Sequence, residues 1–332
     1  MKRIAILGAG GMGTALALLF ARSAHSVHLW ARDPARAHAM HEARENVRHL
    51  PGVPIPGNVF LTADAGDASH GAELIVIAVP SQFLRGVLTA IRGQLPPGRP
   101  VLSVVKGIEN ATFARPSQII TATLGERPVS VLSGPSHAEE LARGLPASVV
   151  VAGPDEALNI AVRDALNMGV FRVYTNPDGV GVELAGALKN ILGVAAGVCD
   201  GLRLGDNSKA ALLTRGLTEI TRFGVELGAQ QSTFFGLAGV GDLITTCYSP
   251  FGRNRAVGMR IGRGEALDAI LSDMVNVAEG VPTTRSVHDQ AHQRGVDVPI
   301  TDELFEILFL GKAPDAALLS LMDRIPKVEW IS

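Results

Sequence analysis

The chain has 332 residues, of which 47% are hydrophobic and 19% are charged, and this composition excludes an intrinsically disordered protein. Its 30 lysines and arginines against 32 aspartates and glutamates give a formal charge of −2, which argues against general binding to nucleic acids or membrane surfaces. At roughly 100–200 residues per domain, the length predicts two domains.

The first predicted strand, Arg3–Leu7, leads directly into the glycine-rich stretch GAGGMG, residues 8–13, and then into a helical pattern. This is G-x-G-x-x-G in the strand–turn–helix context of a dinucleotide-binding site. Gly8 permits the turn, Gly10 lets the backbone approach a pyrophosphate, and Gly13 lets the helix pack on the strand. The alternative is a purely structural turn.

The same stretch has the basic start and apolar centre of a signal peptide. Its four clustered glycines, Gly8, Gly10, Gly11 and Gly13, make a poor signal helix. No other segment reaches the roughly 18 uninterrupted apolar residues of a membrane span. We therefore expect a soluble, cytoplasmic protein without a membrane span.

The second predicted strand, Ser26–Trp30, should be followed by the residue that reads the cofactor ribose. Arg32 favours the 2′-phosphate of NADP. Asp33 is the residue type that favours NAD, so both cofactors stay open, with NADP preferred. The alternative is that both residues are ordinary loop charges.

Six further runs complete a predicted Rossmann-type, doubly wound α/β domain. Several are almost continuously apolar, which is typical of a parallel sheet buried on both faces. The runs are Val59–Asp64, Glu73–Pro80, Pro100–Gly107, Pro128–Pro135, Pro146–Gly153 and Phe171–Thr175.

Two strand ends carry polar residues, and ligands of such sheets bind beyond the carboxyl ends of the strands. Lys106 follows one strand, where an ordinary solvated lysine is the alternative. Ser136 and Glu139 follow another with the S-x-x-E spacing of a capping box. The start of that helix is also suited to an anion or a cofactor edge. We interpret His137 as a loop histidine rather than a general acid.

A Pro/Gly-rich link at residues 176–183 divides the chain, and we place a dinucleotide-binding domain at 1–178 and an all-helical substrate domain at 179–332. The predicted helices of the second domain are Val182–Cys199, Asn207–Leu227, Arg253–Arg260, Glu265–Leu271, Thr284–Gln293 and Thr301–Leu310.

Lys189 lies in the middle of an apolar helix, where an unpaired charge is unfavourable. Its helical neighbours Ala185, Gly186 and Gly193 are small and leave room for another helix or for a bound molecule. A lysine in this setting acts as an acid or base, or forms a buried ion pair.

Two later stretches supply partners for such a site. Asp242 in GLAGVGDLITTC, residues 236–247, can orient a lysine through its carboxylate. Arg253, Asn254 and Arg255 follow Gly252 at a predicted helix start, and arginine, amide and helix N–H groups bind phosphate well. A solvated basic turn is the alternative.

The two cysteines, Cys199 and Cys247, are too few for a disulfide framework, and we interpret them as reduced thiols. The nine histidines show no H-E-x-x-H or similar spacing, so we predict no metal site.

Together these motifs resemble the bacterial-type NAD(P)-dependent glycerol-3-phosphate dehydrogenases. The resemblance spans most of the chain, and several widely spaced motifs in one order are more specific than the glycine fingerprint. They are GAGGMGTALA, VVKGIE, LSGPSHAEE, ELAGALKNILGVAAG, GLAGVGDLITTC and GRNRAVG.

The resemblance implies hydride transfer between NAD(P)H and dihydroxyacetone phosphate to give sn-glycerol 3-phosphate for phospholipid synthesis, in a homodimer. Lys189 would be the general acid or base, with Lys106 and Asp242 as its catalytic partners. The substrate-binding residues would be Lys106, Gly134, Ser136, Lys189, Asn190, Asp242, Thr246, Gly252, Arg253 and Asn254. The cofactor-binding residues would be Gly8, Gly10, Gly11, Met12, Gly13, Arg32, Lys106, Ala138, Arg253, Val277 and Glu279.

Three positions depart from the family pattern. Gly11 and Met12 stand where serine and an aromatic residue are frequent, and Gly252 where serine is common. Two alternatives remain: a related dehydrogenase of 3-hydroxyacids or sugar acids, and a cofactor-binding sensor without turnover. The Arg253–Asn254 turn favours a phosphate substrate over the first, and the lysines with Asp242 argue against the second.

Overall fold

The computed structural model describes residues 1–110, 112–274 and 277–325. The chain packs as two units, one of Met1–Lys106 with Ala114–Glu183, the other of Gly107–Phe113 with the chain from Leu184 onward. The sequence pattern places the boundary after residue 178 and does not assign residues 107–113 to the second unit. Of the predicted second domain, residues 275–276 and 326–332 lie outside the described residues.

The first unit is built on an eight-stranded sheet and a separate two-stranded hairpin. The strands are β1 Arg3–Leu7, β2 Ser26–Trp30, β3 Glu45–Asn46, β4 Leu50–Pro54, β5 Val59–Thr62, β6 Leu74–Ile77, β7 Val101–Ser103, β8 Val129–Ser133, β9 Ala147–Ala152 and β10 Phe171–Asn176. The order in the sheet is β10-β9-β8-β7-β6-β1-β2-β5. The chain direction across the sheet reverses between β1 and β6, and such a switch point is where ligands bind.

Helices cover both faces of this sheet, because side chains along a strand alternate between its faces. Ile4 and Ile6 of β1 join one core cluster, whereas Ala5 and Leu7 join another. The predicted doubly wound α/β architecture is therefore confirmed. The helices are α1 Gly11–Arg22, α2 Pro34–Ala43, α3 Ala65–Ser69, α4 Ser81–Ile91, α5 Pro116–Leu124, α6 Ala138–Ala142 and α7 Glu156–Leu166.

The sheet departs from the predicted parallel arrangement at one junction. β8 and β9 pair antiparallel, while β9 and β10 are parallel to each other. A buried apolar run does not encode strand direction, which depends on the connection. Here the connection contains only the five-residue α6. The antiparallel hairpin of β3 and β4 was not predicted either, because β4 contains two prolines and a glycine.

Regular structure in the described residues from Leu184 to Ile325 is entirely helical, which confirms the predicted class of the second half. The helices are α8 Gly179–Gly201, α9 Gly205–Glu226, α10 Gln231–Phe234, α11 Asp242–Tyr248, α12 Arg253–Gly262, α13 Leu267–Ser272, α14 Gly280–Arg294, α15 Pro299–Leu310 and α16 Pro314–Met322. A short π-helical turn, Leu237–Gly241, precedes α11. The boundary between the units falls inside α8, where a continuous helical pattern gives no sign of it.

Among the described residues, one helix is long and apolar enough to cross a membrane, namely α8. Of its most apolar stretch, 94% of the residues are buried inside the protein. Such burial is typical of the core helix of a folded protein.

The start of α15 is held by a buried carboxylate from α9. Glu219 is 2% exposed. It accepts hydrogen bonds from the N–H groups of Ile300 and Thr301, at 2.8 and 2.9 Å, and from the Thr301 hydroxyl at 2.6 Å. Burial raises the pKa of Glu219 to about 7, although these hydrogen bonds oppose the rise.

This raised pKa predicts a stability that falls with pH. The folded protein keeps a proton that the unfolded chain releases, so the contribution is complete below about pH 4.5 and is lost as the pH rises through about 7. The loss is on the order of 3 kcal/mol. Glu219→Gln stays neutral, so its free energy of unfolding, measured with urea across this range, should fall less steeply than that of the wild type. Equal slopes would contradict the assignment.

Candidate active site

In the glycine-rich turn between β1 and α1, the packing of the protein requires glycine at positions 8 and 13 but not at position 10. Gly8 has φ +120°, and a Cβ there would lie 2.5 Å from the Ala78 carbonyl oxygen; a Cβ on Gly13 would lie 1.8 Å from the Gly8 carbonyl oxygen. A Cβ on Gly10 would meet no protein atom within 4 Å. The open space at Gly10, in front of the N–H groups that start α1, fits the pyrophosphate of a dinucleotide.

Two residues that sequence reasoning missed hold the carbonyl of Ala9 in this turn. The Asn46 amide donates to the Ala9 oxygen at 3.1 Å and to the Thr14 hydroxyl at 2.8 Å, and Arg36 also donates to the Ala9 oxygen. Burial, and then the nearby charge of Arg48, lower the pKa of the Arg36 guanidinium. No sequence signal marks Asn46, because it belongs to the unpredicted hairpin.

The two charges after β2 have different roles. Asp33 is the N-cap of α2, where its carboxylate accepts a hydrogen bond from the N–H of Ala35 at 3.0 Å. This structural role accounts for the aspartate that complicated the cofactor prediction. Arg32 is exposed at the carboxyl end of β2.

Three predicted residues come together beyond β7 and β8. The Lys106 ammonium donates to the Gly134 carbonyl oxygen at 2.8 Å and to the Ser136 hydroxyl at 3.0 Å. The Ser136 hydroxyl donates to the same carbonyl at 2.8 Å. Lys106 is thus not an ordinary solvated lysine but part of a polar cluster at the carboxyl edge of the sheet.

The capping box predicted for Ser136 and Glu139 is wrong. Helix α6 begins at Ala138, so the N-cap is His137, one residue later than the S-x-x-E pattern requires. The Ser136 hydroxyl is engaged with Lys106 and Gly134 instead. Ala138, at the first position of α6, lies against the start of α1, since a Cβ on Gly11 would be 3.4 Å from its Cβ.

A buried ion pair in the second unit contains the predicted catalytic lysine. The Lys189 ammonium of α8 lies 2.9 Å from a carboxylate oxygen of Asp242, the first residue of α11, and also donates to the Thr246 hydroxyl one turn later. The exposed fractions of the three residues are 5%, 3% and 5%. The carboxylate offsets the unfavourable burial of the ammonium, and the pair fixes the nitrogen in one place.

An amide network adjoins this pair. The Asn254 amide donates to the Asn190 oxygen at 2.9 Å, and its own oxygen accepts from the N–H of Gly280 at 2.9 Å. Arg253 donates to the carbonyl of Val277 at 3.1 Å, two residues before Glu279, the N-cap of α14. The predicted residues of α8, α11, α12 and the segment before α14 are therefore neighbours within this unit.

At Gly193 the small residue makes room for neighbouring helices, which is one of the two possibilities that the sequence left open. A Cβ on Gly193 would lie 2.7 Å from the Thr246 methyl group and 3.2 Å from the Asn254 Cβ. The space is filled by α11 and α12. Gly193 is small because three helices meet there, which brings Thr246 and Asn254 close to α8.

In chemical terms, the first unit offers an anion-binding turn and a lysine beside a serine. The second unit offers an ammonium held by a carboxylate, together with an arginine and amides. These are groups for binding phosphates and for moving one proton.

The NAD(P)+-dependent glycerol-3-phosphate dehydrogenase of Moorella thermoacetica is 48% identical over 323 residues, which cover 97% of this chain and 96% of that protein. The chain belongs to the NAD-dependent glycerol-3-phosphate dehydrogenase family. The family's N-terminal model matches residues 3–159 and its C-terminal model residues 178–319. As a member of this family the chain is an NAD(P)-dependent oxidoreductase, with NAD or NADP as its cofactor.

Two further relatives agree with this assignment. The corresponding enzyme of Geobacillus thermodenitrificans is 47% identical, over 99% of this chain and 97% of its own. The crystal structure of glycerol-3-phosphate dehydrogenase from Coxiella burnetii superposes with a TM-score of 0.93 at 36% identity, covering 97% of this chain and 99% of that one.

One departure from the glycerol-3-phosphate dehydrogenase pattern has a structural reason. A Cβ on Gly252, the N-cap of α12, would lie 2.8 Å from the Thr246 carbonyl oxygen and 3.2 Å from that of Ser249. A serine would require the backbone to shift, so glycine suits this local packing. At Gly11 a side chain would meet only ordinary contacts, and nothing in the structure explains the glycine there.

Proposed function

We propose that the chain interconverts dihydroxyacetone phosphate and sn-glycerol 3-phosphate, with Lys189 as the general acid in reduction and the general base in oxidation. The observation that carries this proposal is the buried Lys189–Asp242 pair. A primary ammonium held in a dry site by a carboxylate and a hydroxyl is positioned to give a proton to a ketone oxygen.

The nicotinamide ring of the bound cofactor supplies the hydride when the ketone is reduced. Lys189 then supplies the proton that turns the ketone oxygen into a hydroxyl, and Asp242 keeps the nitrogen oriented throughout. In the oxidation direction the neutral amine of Lys189 accepts the hydroxyl proton, and the resulting ammonium is stabilised by Asp242.

The phosphate of the substrate is assigned to Arg253, Asn254 and the N–H groups that start α12, with Gly252 contributing backbone only. Arginine and helix N–H groups together suit a dianionic phosphate. Lys106, Gly134, Ser136, Asn190 and Thr246 are assigned to the remaining substrate oxygens. Gly8, Gly10, Gly11, Met12, Gly13, Arg32, Ala138, Val277 and Glu279, together with Lys106 and Arg253, are assigned to the cofactor.

We further infer the roles of the two domains, the oligomeric state and the cellular location. The dinucleotide-binding domain, residues 1–178, contributes most of the residues assigned to the cofactor, and the substrate domain, residues 179–332, contributes Lys189, Asp242 and the residues assigned to the phosphate. The enzyme acts as a cytoplasmic homodimer and supplies glycerol 3-phosphate for phospholipid synthesis.

The substrate is tested by comparing initial rates with dihydroxyacetone phosphate, with dihydroxyacetone and with a keto acid that lacks phosphate. We expect dihydroxyacetone phosphate to be preferred over dihydroxyacetone on the order of 10²-fold, because charge-assisted hydrogen bonds to the phosphate are lost. Reduction of the keto acid alone would favour the hydroxyacid dehydrogenase alternative. Cofactor binding without turnover on any of the three would favour a sensor.

The exposed Arg32 predicts a preference for NADPH. Arg32→Ala should lower kcat/KM for NADPH about tenfold, by removing one partner of the 2′-phosphate, and should leave that for NADH nearly unchanged. Arg99→Ala is the matched control. Arg99 is an exposed arginine at the amino end of β7, whereas Arg32 lies at the carboxyl end of β2. An unchanged ratio of the two cofactors in Arg32→Ala would show that Arg32 is an ordinary surface charge.

A further inference from the structure

Two histidines and an aspartate form a compact cluster in the second unit that the proposed reaction does not use. His288 and His292 lie one turn apart on α14, and Asp302 lies in the first turn of α15. One Asp302 oxygen, Oδ1, is 3.0 Å from His288 Nδ1 and 3.0 Å from His292 Nε2. The three donor atoms all lie within 4.8 Å of one another.

The surroundings hold these side chains in place. The His288 ring stacks on Phe305 of α15, with centroids 3.9 Å apart and an interplanar angle of 6°. Glu219 fixes the start of α15 through the N–H groups of Ile300 and Thr301, directly before Asp302. A cluster whose donors are already ordered loses little conformational entropy when it binds a ligand.

We propose that His288, His292 and Asp302 bind a divalent transition-metal ion of the Zn²⁺ type. With metal–ligand distances of about 2.0–2.1 Å, the donor atoms of a tetrahedral site are about 3.3 Å apart. The two observed separations of 3.0 Å from Asp302 Oδ1 are within a few tenths of an ångström of this value, and the two imidazole nitrogens lie within 4.8 Å of each other. Two imidazole nitrogens select zinc, cobalt, nickel or copper over magnesium and calcium, which prefer oxygen ligands.

The position of the cluster allows an ion to enter without unfolding. The side chain of His292 is 60% exposed, whereas that of His288 is 23% exposed and that of Asp302 33%. Three protein ligands leave a fourth position for water. The bound ion would join α14 to α15 and stabilise the folded state by an amount that depends on its concentration.

The sequence contains a signal for this site that the prediction of no metal site missed. The spacing H-D-Q-A-H places two imidazoles on one face of a helix. The third ligand, ten residues later on another helix, is apparent only from the packing. The prediction of no metal site, made on H-E-x-x-H and similar spacings, overlooked this stretch, in which the two histidines have the same i, i+4 spacing.

The test uses the full chain without an affinity tag, freed of metal with a chelator and titrated with Co²⁺ and then with Zn²⁺. We expect Co²⁺ to develop the intense visible absorption of a tetrahedral complex and Zn²⁺ to displace it. Asp302→Asn and His292→Ala should weaken Zn²⁺ binding at least tenfold by calorimetry and should abolish the rise in Tm that Zn²⁺ causes.

His41→Ala serves as the matched control, because His41 is an exposed histidine on α2, outside the cluster. It should bind Zn²⁺ as the wild type does. The proposal is overturned if His292→Ala and Asp302→Asn, both folded by their Tm without metal, bind Zn²⁺ with wild-type affinity. It is equally overturned if the wild type develops no Co²⁺ absorption.

Discussion

Replacing Lys189 with methionine is expected to lower the rate of dihydroxyacetone phosphate reduction by about 10²–10⁴-fold, the usual contribution of a general acid. Cofactor affinity should change little, because Lys189 is not among the residues assigned to the cofactor and the glycine-rich turn and Arg32 belong to the other unit. Initial rates combined with a fluorescence titration of NADPH measure both quantities. A small primary amine should restore part of the rate of Lys189→Ala, whose shorter side chain leaves room for a replacement of the missing proton donor.

The control for this variant must remove a similar ion pair. Lys209 is 4% exposed, and its ammonium lies 2.8 and 2.9 Å from the two carboxylate oxygens of Asp200 in the same unit. Removing one partner of a buried ion pair costs about 3–5 kcal/mol. Asp200 is partly exposed and keeps Arg255 at 2.6 Å, so Lys209→Met should lose less stability than Lys189→Met, and it should keep its turnover per folded molecule. If Lys189→Met kept the turnover of the wild type, Lys189 would not be the general acid.

Gly10→Ala and Gly13→Ala are both expected to bind NADPH more weakly than the wild type, but for different reasons. Gly10→Ala should fold with a nearly unchanged Tm, because its Cβ meets no protein atom within 4 Å. It should nevertheless bind NADPH at least about tenfold more weakly, because the methyl group occupies the space that the pyrophosphate needs. Gly13→Ala should lose both stability and binding, since its Cβ would overlap the Gly8 carbonyl at 1.8 Å, and overpacking costs about 1–3 kcal/mol or more.

Calorimetric Tm values and NADPH titrations of the two variants separate these effects. Wild-type NADPH affinity in Gly10→Ala would mean that phosphates do not lie at this turn. An unchanged Tm in Gly13→Ala would mean that the turn can relax, and that the glycine is not a packing requirement.

Features with a local cause were predictable from the sequence. β1 was predicted with its observed bounds, and α8 within three residues at each end, because their apolar patterns are continuous. The spacing of the glycines in residues 8–13 predicted the turn because the strand, the turn and the helix follow one another directly in the sequence. Lys189 stands out in the sequence because a charge in an apolar helix is unfavourable, and Asp242 stands out as a carboxylate in a glycine-rich stretch that can orient a lysine.

Features that depend on packing were not predictable. The direction of β9 and the position of Asn46 under the glycine-rich turn follow from connections and contacts distant in sequence. The hydroxyl of Ser136 binds Lys106, thirty residues away, rather than capping the nearby helix. Gly193 is small because of Thr246 in α11 and Asn254 in α12, which lie more than fifty residues further along the chain.

The most direct test of the proposed reaction is to follow deuterium from reduced cofactor into product. The enzyme is incubated with dihydroxyacetone phosphate and NADPH deuterated at the position that leaves as hydride, and the product is analysed by NMR and mass spectrometry. The proposal predicts sn-glycerol 3-phosphate with a single deuterium on carbon 2. Product without deuterium would contradict the proposal. So would dihydroxyacetone phosphate that stays unconverted although the cofactor is demonstrably bound.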